Sequence, residues 1–487
     1  MQRYEAARAI LRRHFGYEDF RGAQREAIAA ILSGRDTLVL MPTGGGKSLC
    51  FQIPAMALDG CTIVISPLIS LMKDQVENAV RAGLPATFIN STLTGAEIGE
   101  RMRAAQSGQI KLLYMAPERA ENPRFVERLK QMKIAMLAVD EAHCLSQWGH
   151  EFRPSYMRLG ALRDALHCSV IALTATATPE VRRDILTHLH MRRPLVLAGG
   201  FDRPNLKWHV VRAESSREKD HCLARLLCND LKDGVALVFA STRKKVDGIA
   251  DMLNARSIRA SGYHAGVKSG ERSSLQERFI REEAGVVVAT NAFGMGIDKS
   301  NVRLVIHYDM PASLEAYYQE AGRAGRDGKA ADCVLLHAYR DRFTHEFMID
   351  GAHPSERTIR DTFRKLTSAQ APREVAAFSK WSRQNSREVG SVLRVLADAG
   401  VVTVDRRSAT FTILSRVITR AALQHSQVAR KRELLRLERM QGYAYHKKCR
   451  RKYVMEYFGD TSFRSCAGCD NCQRQGAGGG GGAYRGR

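Results

Sequence analysis

The sequence predicts an α/β protein: two tandem lobes built on parallel sheets, then a winged-helix-like segment and a small helical zinc-binding module. Three observations carry this reading. Short apolar runs alternate with helical periodicity over residues 1–350, a glycine-rich turn (Gly44-Gly45-Gly46-Lys47-Ser48) follows the first such run, and four cysteines gather between Cys449 and Cys472. Strands that alternate with helices pack as a parallel sheet covered by helices.

In the first lobe, taken as residues 1–200, the expected strands are Thr37 to Met41, Thr62 to Ser66, Lys111 to Ala116, Ile134 to Val139 and Val170 to Leu173. The rhythm resumes after Phe201-Asp202-Arg203-Pro204-Asn205 in a second lobe, 201–350, with Val235 to Ala240, Val286 to Ala289 and Leu304 to Tyr308. From 351 to 420 the period becomes helical, over Arg357 to Leu366, Glu374 to Trp381 and Arg387 to Ala399. Two β-rich runs, Val401 to Val404 and Ala409 to Leu414, then flank Asp405-Arg406-Arg407-Ser408, so three helices and a hairpin read as a winged helix. Residues 421–475 hold the cysteine cluster, and 476–487 form a glycine-rich tail expected to be flexible.

Hydrophobic residues make up 44% of the chain and charged ones 26%, a globular balance without a membrane-length apolar run. Met1 to Arg13 lacks the apolar core of a signal peptide, so an intracellular protein is expected, in the cytoplasm or nucleoid of a bacterium or the nucleus of a eukaryote. Seventy-five Lys and Arg against 51 Asp and Glu give a net charge of +24, which favours a polyanionic partner, nucleic acid ahead of an anionic membrane surface. Seven scattered cysteines (Cys50, Cys61, Cys144, Cys168, Cys222, Cys228 and Cys333) read as reduced core thiols.

The turn Pro42-Thr43-Gly44-Gly45-Gly46-Lys47-Ser48 can surround phosphate oxygens with backbone amides. Lys47 then neutralises the β and γ phosphates of ATP, and the Ser48 hydroxyl takes a Mg²⁺ position. Met41 stands where the strict phosphate-loop pattern has its first glycine, and a ligand-free glycine turn is the alternative for this segment alone. Asp140-Glu141-Ala142-His143 ends the run Ile134 to Val139 and offers Asp140 for the Mg²⁺ shell and Glu141 to orient the attacking water. Upstream, Gln24 can pair with adenine while Tyr17 and Arg21 stack on it; an ordinary amphipathic segment is the alternative.

With these residues in order, the chain resembles the RecQ family of superfamily 2 helicases across most of residues 10–345. The turn Thr-Gly-x-Gly-Lys-Ser, the DEAH sequence, Ser66 to Gln75, Thr174 to Thr178, Phe293 to Asp298 and Gln319 to Arg326 resemble successive family motifs. The resemblance implies RecA-like lobes, with the second closing on ATP. Arg323 and Arg326, three apart, share a face if helical and can stabilise charge on the transferred phosphoryl group, alongside Gln319. Gly296 and Asp298, in the segment resembling motif V, are expected at the nucleotide. Cys144 to Pro154 resembles the family's aromatic-rich loop, in which Trp148, His150, Phe152 and Arg153 can meet unpaired bases and phosphate. Without that context, a buried Trp and Phe serving as core is the commoner fate.

Cys449-x16-Cys466-x2-Cys469-x2-Cys472 suits a closed tetrahedral Zn²⁺ site, with His446 as an alternative ligand. The family's usual order places a winged helix after the zinc module, whereas here the winged-helix-like residues precede it. The hairpin tip has no aromatic wedge, and Arg406 and Arg407, together with the helix carrying Arg387 and Arg394, are the candidate duplex contacts. The expected function is ATP-dependent 3′-to-5′ unwinding of duplex or branched DNA in recombination and repair, the polarity being implied by the resemblance. The alternatives are a nucleic-acid-stimulated ATPase that remodels or anneals strands or acts on RNA, and a non-enzymatic DNA-binding protein. Expected partners are single-stranded and branched DNA and single-strand-binding or recombination proteins, with the chain a monomer or weak oligomer.

Overall fold

The computed structural model describes residues 2–476 except 43, 150, 199–200, 232, 282–284, 292, 294–298, 369, 406–407 and 467. Thr37–Leu40 (β1), Cys61–Ile65 (β2), Ala86–Ile89 (β3), Leu112–Met115 (β4), Ile134–Val139 (β5), Ser169–Thr174 (β6) and Leu195–Ala198 (β7) form one sheet in the order β3-β4-β2-β5-β6-β1-β7. Leu206–Arg212 (β8), Val235–Phe239 (β9), Ala260–Tyr263 (β10), Val286–Ala289 (β11), Val302–His307 (β12) and Ala331–His337 (β13) form the other in the order β10-β11-β9-β12-β13-β8. The pairings of β1, β2 and β5 with their neighbours are parallel. Parallel strands are covered on both faces, so β1, β2, β4 and β9 are buried at every position, as near-continuous apolar runs require.

Parallel pairing brings the C-terminal ends of several strands to one edge. Leu40 pairs with Thr174 and Val139 with Ala172, so the chain leaving β1, β5 and β6 emerges side by side. Ligands of open α/β sheets bind at this edge. The opposite edge is held by a buried ion pair. Asp36, just before β1, accepts from Arg163 Nη2 at 2.8 Å, Val170 N at 2.9 Å and Arg192 N at 2.6 Å, and Arg163 also donates to the His190 carbonyl at 2.9 Å.

Residues Met310–Leu314 and His337–Tyr445 form a separate compact unit. Within it the helices Glu356–Leu366, Val375–Ser382 and Ser386–Asp398 and the antiparallel strands Val402–Asp405 (β14) and Thr410–Ile413 (β15) enclose a core that includes Ile359, Phe378, Val389, Leu396 and Phe411. This is the winged-helix-like layout, and Ser355 and Asn385 cap its first and third helices. The helices Asp341–Ala352 and Arg420–Tyr445 belong to the same unit and pack on each other. Arg387 and Arg394 lie exposed on one helix face, while Arg406 and Arg407 fall outside the described residues.

The expectation for the scattered cysteines changes. Cys50, Cys61, Cys144, Cys222 and Cys333 are buried thiols, but Cys168 is half-buried and Cys228 is exposed near the end of the helix Ser216–Asn229. Apolar neighbours in sequence therefore did not place those two cysteines in the core. Among the described residues, no helix is long and apolar enough to cross a membrane.

Arg163→Ala leaves the Asp36 carboxylate buried without its guanidinium. It is expected to lower the unfolding free energy by about 3–5 kcal/mol, measured by urea denaturation; wild-type stability in this variant would refute the assigned role of the pair.

Candidate active site

The loop after β1 is shaped by glycines. Gly44 and Gly46 have φ of +80° and +76°, and a Cβ on Gly46 would lie 2.4 Å from Gln24 Nε2. Gln24 is buried; its Nε2 donates to the Gly45 and Gly46 carbonyls at 3.1 and 3.3 Å, and its Oε1 accepts from Arg21 N at 3.0 Å. Here the glutamine expected at adenine grips the phosphate loop itself. The Arg21 guanidinium lies 5.5 Å from the centre of the exposed Tyr17 ring. Lys47 Nζ donates to the Met41 carbonyl at 3.3 Å. Ser48 precedes the helix Leu49–Ala57 and makes no side-chain capping bond to it. Thr43 lies outside the described residues.

Beyond β5, Asp140 is buried and accepts from Gln75 Nε2 at 2.7 Å and Glu141 N at 2.9 Å. Burial, and then the Glu141 carboxylate beside it, push the Asp140 carboxyl up to about 6 against the pull of Gln75 and Lys47. A dication would relieve that cost, so the donor set fits Mg²⁺. Gln75 was read only as part of a motif, and its hold on Asp140 depends on the fold. Glu141 is left-handed, φ 46° and ψ 47°, a conformation uncommon for residues other than glycine and often found at functional sites. His143 Nδ1 lies 3.0 Å from Thr174 Oγ1 and 3.3 Å from Glu141 Oε2, which ties the end of β6 to Glu141.

The aromatic loop folds back on this turn. Arg153 N donates to the Cys144 carbonyl at 2.9 Å, and Gly149 N to the Ser146 carbonyl at 2.8 Å. A Cβ on Gly149 would come within 2.2 Å of the His143 carbonyl oxygen, so the close approach needs glycine. Trp148 is 39% exposed and so is not core; Phe152 is half-buried. Arg153 Nη1 donates to the Pro67 carbonyl at 2.7 Å, anchoring the loop to the segment after β2. His150 lies outside the described residues.

The second lobe supplies two arginines, but not from a helix face. The helix Leu314–Ala321 carries the half-buried Gln319 and ends before Arg323 and Arg326, which stand in turns. The reason is glycine. Gly325 has φ +52°, and a Cβ there would meet Asn205 Nδ2 at 2.5 Å and the Lys329 carbonyl oxygen at 2.6 Å. The carbonyls of the turn are taken up by Arg203, which donates to Gly322, Ala324 and Gly325 at 3.0, 2.8 and 2.9 Å, and by Asn205 Nδ2, which donates to Gly325 and Lys329. Sequence reading saw these two residues only as a lobe boundary.

So held, the arginines face the first lobe. A Cβ on Gly44 would meet Arg326 Cγ at 3.3 Å, which sets Arg326 against the phosphate loop. Arg323 is buried, and burial followed by the like charge of Arg326 pushes its guanidinium down to about 10, while Glu320, Glu141 and Glu151 pull the other way. Two adjoining guanidinium groups beside a glycine-rich loop suit a polyanion. Gly296 and Asp298 lie outside the described residues.

The cysteine cluster closes as its spacing predicts. The Sγ atoms of Cys449, Cys466, Cys469 and Cys472 all lie within 4.8 Å of one another, and those of Cys466 and Cys472 are 3.9 Å apart. A tetrahedral zinc with Zn–S near 2.3 Å requires about 3.8 Å. Backbone N–H groups already point at the sulfurs: Lys452 to Cys449, Cys469 to Cys466, and Arg450 and Cys472 to Cys469, at 3.3–3.4 Å. Hydrogen bonding from Cys466 and from those two amides pulls the Cys469 thiol down, while that same bond pushes Cys466 up and burial pushes Cys472 up. The four-sulfur geometry fits Zn²⁺, while the alternative ligand His446 packs its ring on Tyr453 instead.

Of the metal module's arginines, Arg450 ties the module to itself and Arg451 docks it. Arg450 forms a bidentate pair with Asp470 at 2.5 and 3.0 Å, and Arg451 Nη2 donates to the Pro204 and Leu206 carbonyls at 3.1 and 2.8 Å. Tyr457 donates to Glu315 at 2.6 Å, and Arg182 of the first lobe donates to the Phe458 carbonyl.

The chain matches family models described as DEAD/DEAH box helicase over residues 21–185, Helicase conserved C-terminal domain over 218–328 and RecQ zinc-binding over 407–473. It is 40% identical to the Probable ATP-dependent DNA helicase RecS of Bacillus subtilis over 359 residues, 73% of this chain and 72% of that protein. The chain belongs to the RecQ family. It is also similar to the ATP-dependent DNA helicase RecQ of Bacillus subtilis, 46% identical over 73% of this chain and 60% of that one, and to that of Pasteurella multocida, 44% over 73% and 56%. It thus spans less than two thirds of these two RecQ relatives. Among solved structures, yeast Dbp5 bound to RNA and ADP BeF3 aligns with a TM-score of 0.57 at 17% identity, covering 72% of this chain and 92% of that one, a likeness of fold.

Removing the RecQ-type metal should unseat Arg450 and Arg451 from their partners. Purified protein is expected to carry one zinc per chain by atomic emission, and Cys469→Ser to lose both the metal and thermal stability; a metal-free wild type of equal stability would contradict a structural role.

Proposed function

We propose that this chain is an ATP-dependent DNA helicase that moves 3′-to-5′ on single-stranded DNA and unwinds duplex or branched DNA in recombination and repair. The observation that carries the reading is the approach of Arg323 and Arg326 from the second lobe to the phosphate loop and Glu141 of the first. Phosphoryl transfer needs little covalent help from a protein; positioning and charge supply most of the catalysis.

In this reading Lys47 neutralises the β and γ phosphates, Ser48 and Asp140 hold Mg²⁺, and Glu141 orients the attacking water. Mg²⁺ supplies charge neutralisation across the β and γ oxygens when bound. Arg323 and Arg326 stabilise charge developing in the transition state, with Gln319 alongside. Gln24 shifts from the loop carbonyls to adenine, with Tyr17 and Arg21 beside the ring. The names of the relatives support DNA as the substrate.

The aromatic loop couples DNA to hydrolysis. Trp148 is exposed for base stacking, and His143 and Cys144 join the loop directly to the turn bearing Glu141. A strand that engages Trp148, together with His150, Phe152 and Arg153 of the same sequence segment, moves the loop against this turn. The winged-helix-like unit binds duplex through Arg387 and Arg394, with Arg406 and Arg407 at the hairpin tip.

Four measurements test this. Lys47→Ala is expected to abolish DNA-stimulated phosphate release and Arg323→Ala to lower kcat by about 10³-fold or more; wild-type rates in Lys47→Ala would refute the ATP site, and duplexes with 3′ or 5′ tails read the polarity. Trp148→Ala is expected to weaken single-strand binding by about 1–3 kcal/mol and to reduce DNA stimulation while basal hydrolysis persists. The charge reversal Arg387→Glu/Arg394→Glu is expected to weaken duplex binding and flatten its salt dependence by about two phosphate contacts; an unchanged slope would remove that surface from the reading.

A further inference from the structure

The turn that follows Glu141 holds three groups with metal-ligand chemistry besides the catalytic carboxylates. His143 and Cys144 are buried side by side, with His143 Nε2 3.9 Å from Cys144 Sγ. Glu151, half-buried on the returning arm of the aromatic loop, completes the set, and one ligand atom from each of the three lies within 4.8 Å of the others. In a tetrahedral zinc site the sulfur and nitrogen stand about 3.5 Å apart. The existing sulfur–nitrogen distance needs only a few tenths of an ångström of adjustment, while Glu151 swings in on a loop arm.

The surroundings are those of a metal-bound histidine. A ligating imidazole ordinarily uses its other ring nitrogen to bond a carboxylate or similar acceptor, which fixes tautomer and orientation. His143 Nδ1 stands 3.3 Å from Glu141 Oε2 and 3.0 Å from Thr174 Oγ1, and Nε2 stands 3.9 Å from Cys144 Sγ. The two arms are held together by the bond from Arg153 N to the Cys144 carbonyl and by Gly149 lying on the His143 carbonyl.

We propose that His143, Cys144 and Glu151 form a second site for Zn²⁺, distinct from the four-cysteine centre, whose occupation inhibits the enzyme. Nitrogen, sulfur and oxygen ligands with a fourth position left to water are a zinc donor set. The ion fastens the aromatic loop to the catalytic turn. It also takes up Glu151, whose negative charge otherwise acts on Arg323. The inhibitory consequence rests on the ATPase reading above; the binding site does not.

The test uses the full chain with zinc retained in its four-cysteine centre, titrated with Co²⁺ as a spectroscopic probe. The expected result is one further Co²⁺ per chain with thiolate-to-cobalt absorption and no loss of the resident zinc. That absorption disappears in Cys144→Ala, and affinity falls by about 10- to 100-fold in Glu151→Gln. Absence of the absorption in the wild type, or its persistence in Cys144→Ala, overturns the site. Should Cys144→Ala fail to fold, unchanged Co²⁺ affinity in Glu151→Gln overturns it equally. Added Zn²⁺ is expected to suppress DNA-stimulated ATP hydrolysis over the concentration range in which it displaces the bound Co²⁺; hydrolysis undiminished at saturation overturns the inhibitory role, while a chain with no ATPase at all would refute the earlier reading and leave the cobalt result standing.

Discussion

The carbonyls exposed where the helix Leu314–Ala321 gives out must find donors, and that requirement organises much of the site. A helix end leaves backbone acceptors without intrahelical partners. Here a single guanidinium, Arg203, takes three carbonyls of the following turn, and Asn205 takes two. The planar fork of arginine suits several acceptors at once where a lysine would not. Because the turn is fixed in this way, Arg323 and Arg326 project toward the first lobe rather than along a helix surface. Arg451 grips the carbonyls of Pro204 and Leu206 on either side of Asn205, so the cysteine module braces the strut that holds the arginines.

Much of this was legible in the sequence because its signals are local. The central strands are apolar runs, since both faces of a parallel sheet are covered, and the phosphate loop, the acidic turn and the cysteine spacing each follow from chemistry within a few residues. Of the unread strands, β3, β7, β8 and β10 sit at sheet edges, and β3, β8 and β10 contain Thr, Lys, His, Ser or Gly that interrupt the apolar pattern, whereas β13, also unread, lies inside its sheet with Asp332 breaking its apolar run. The three-residue spacing of Arg323 and Arg326 suggested a helix, although Gly322, Gly325 and Gly328 already marked a break there. Gln75 and Arg203 were illegible as site residues for a different reason. Their partners lie 65 residues away or more, and only the folded sheets bring them within reach.

The cysteine module has a structural part beyond its own few helices. It contacts β8 through Asp470, the helix Leu314–Ala321 through Tyr457, and the first lobe through Phe458, whose ring stacks on Phe201 at 5.3 Å between centroids. A metal that closes four thiols into one knot thereby keeps a short segment rigid enough to serve two lobes. Small modules of this kind lack the apolar area to do so unaided.

Gly44 shows how much rests on an atom that is not there. Its left-handed backbone lets the loop curl, and its bare α-carbon is also the notch into which Arg326 of the other lobe settles. Two demands, one on conformation and one on clearance, meet at a single position. An alanine there would be strained in its backbone and would also press on the Arg326 side chain, which would have to give by a few tenths of an ångström.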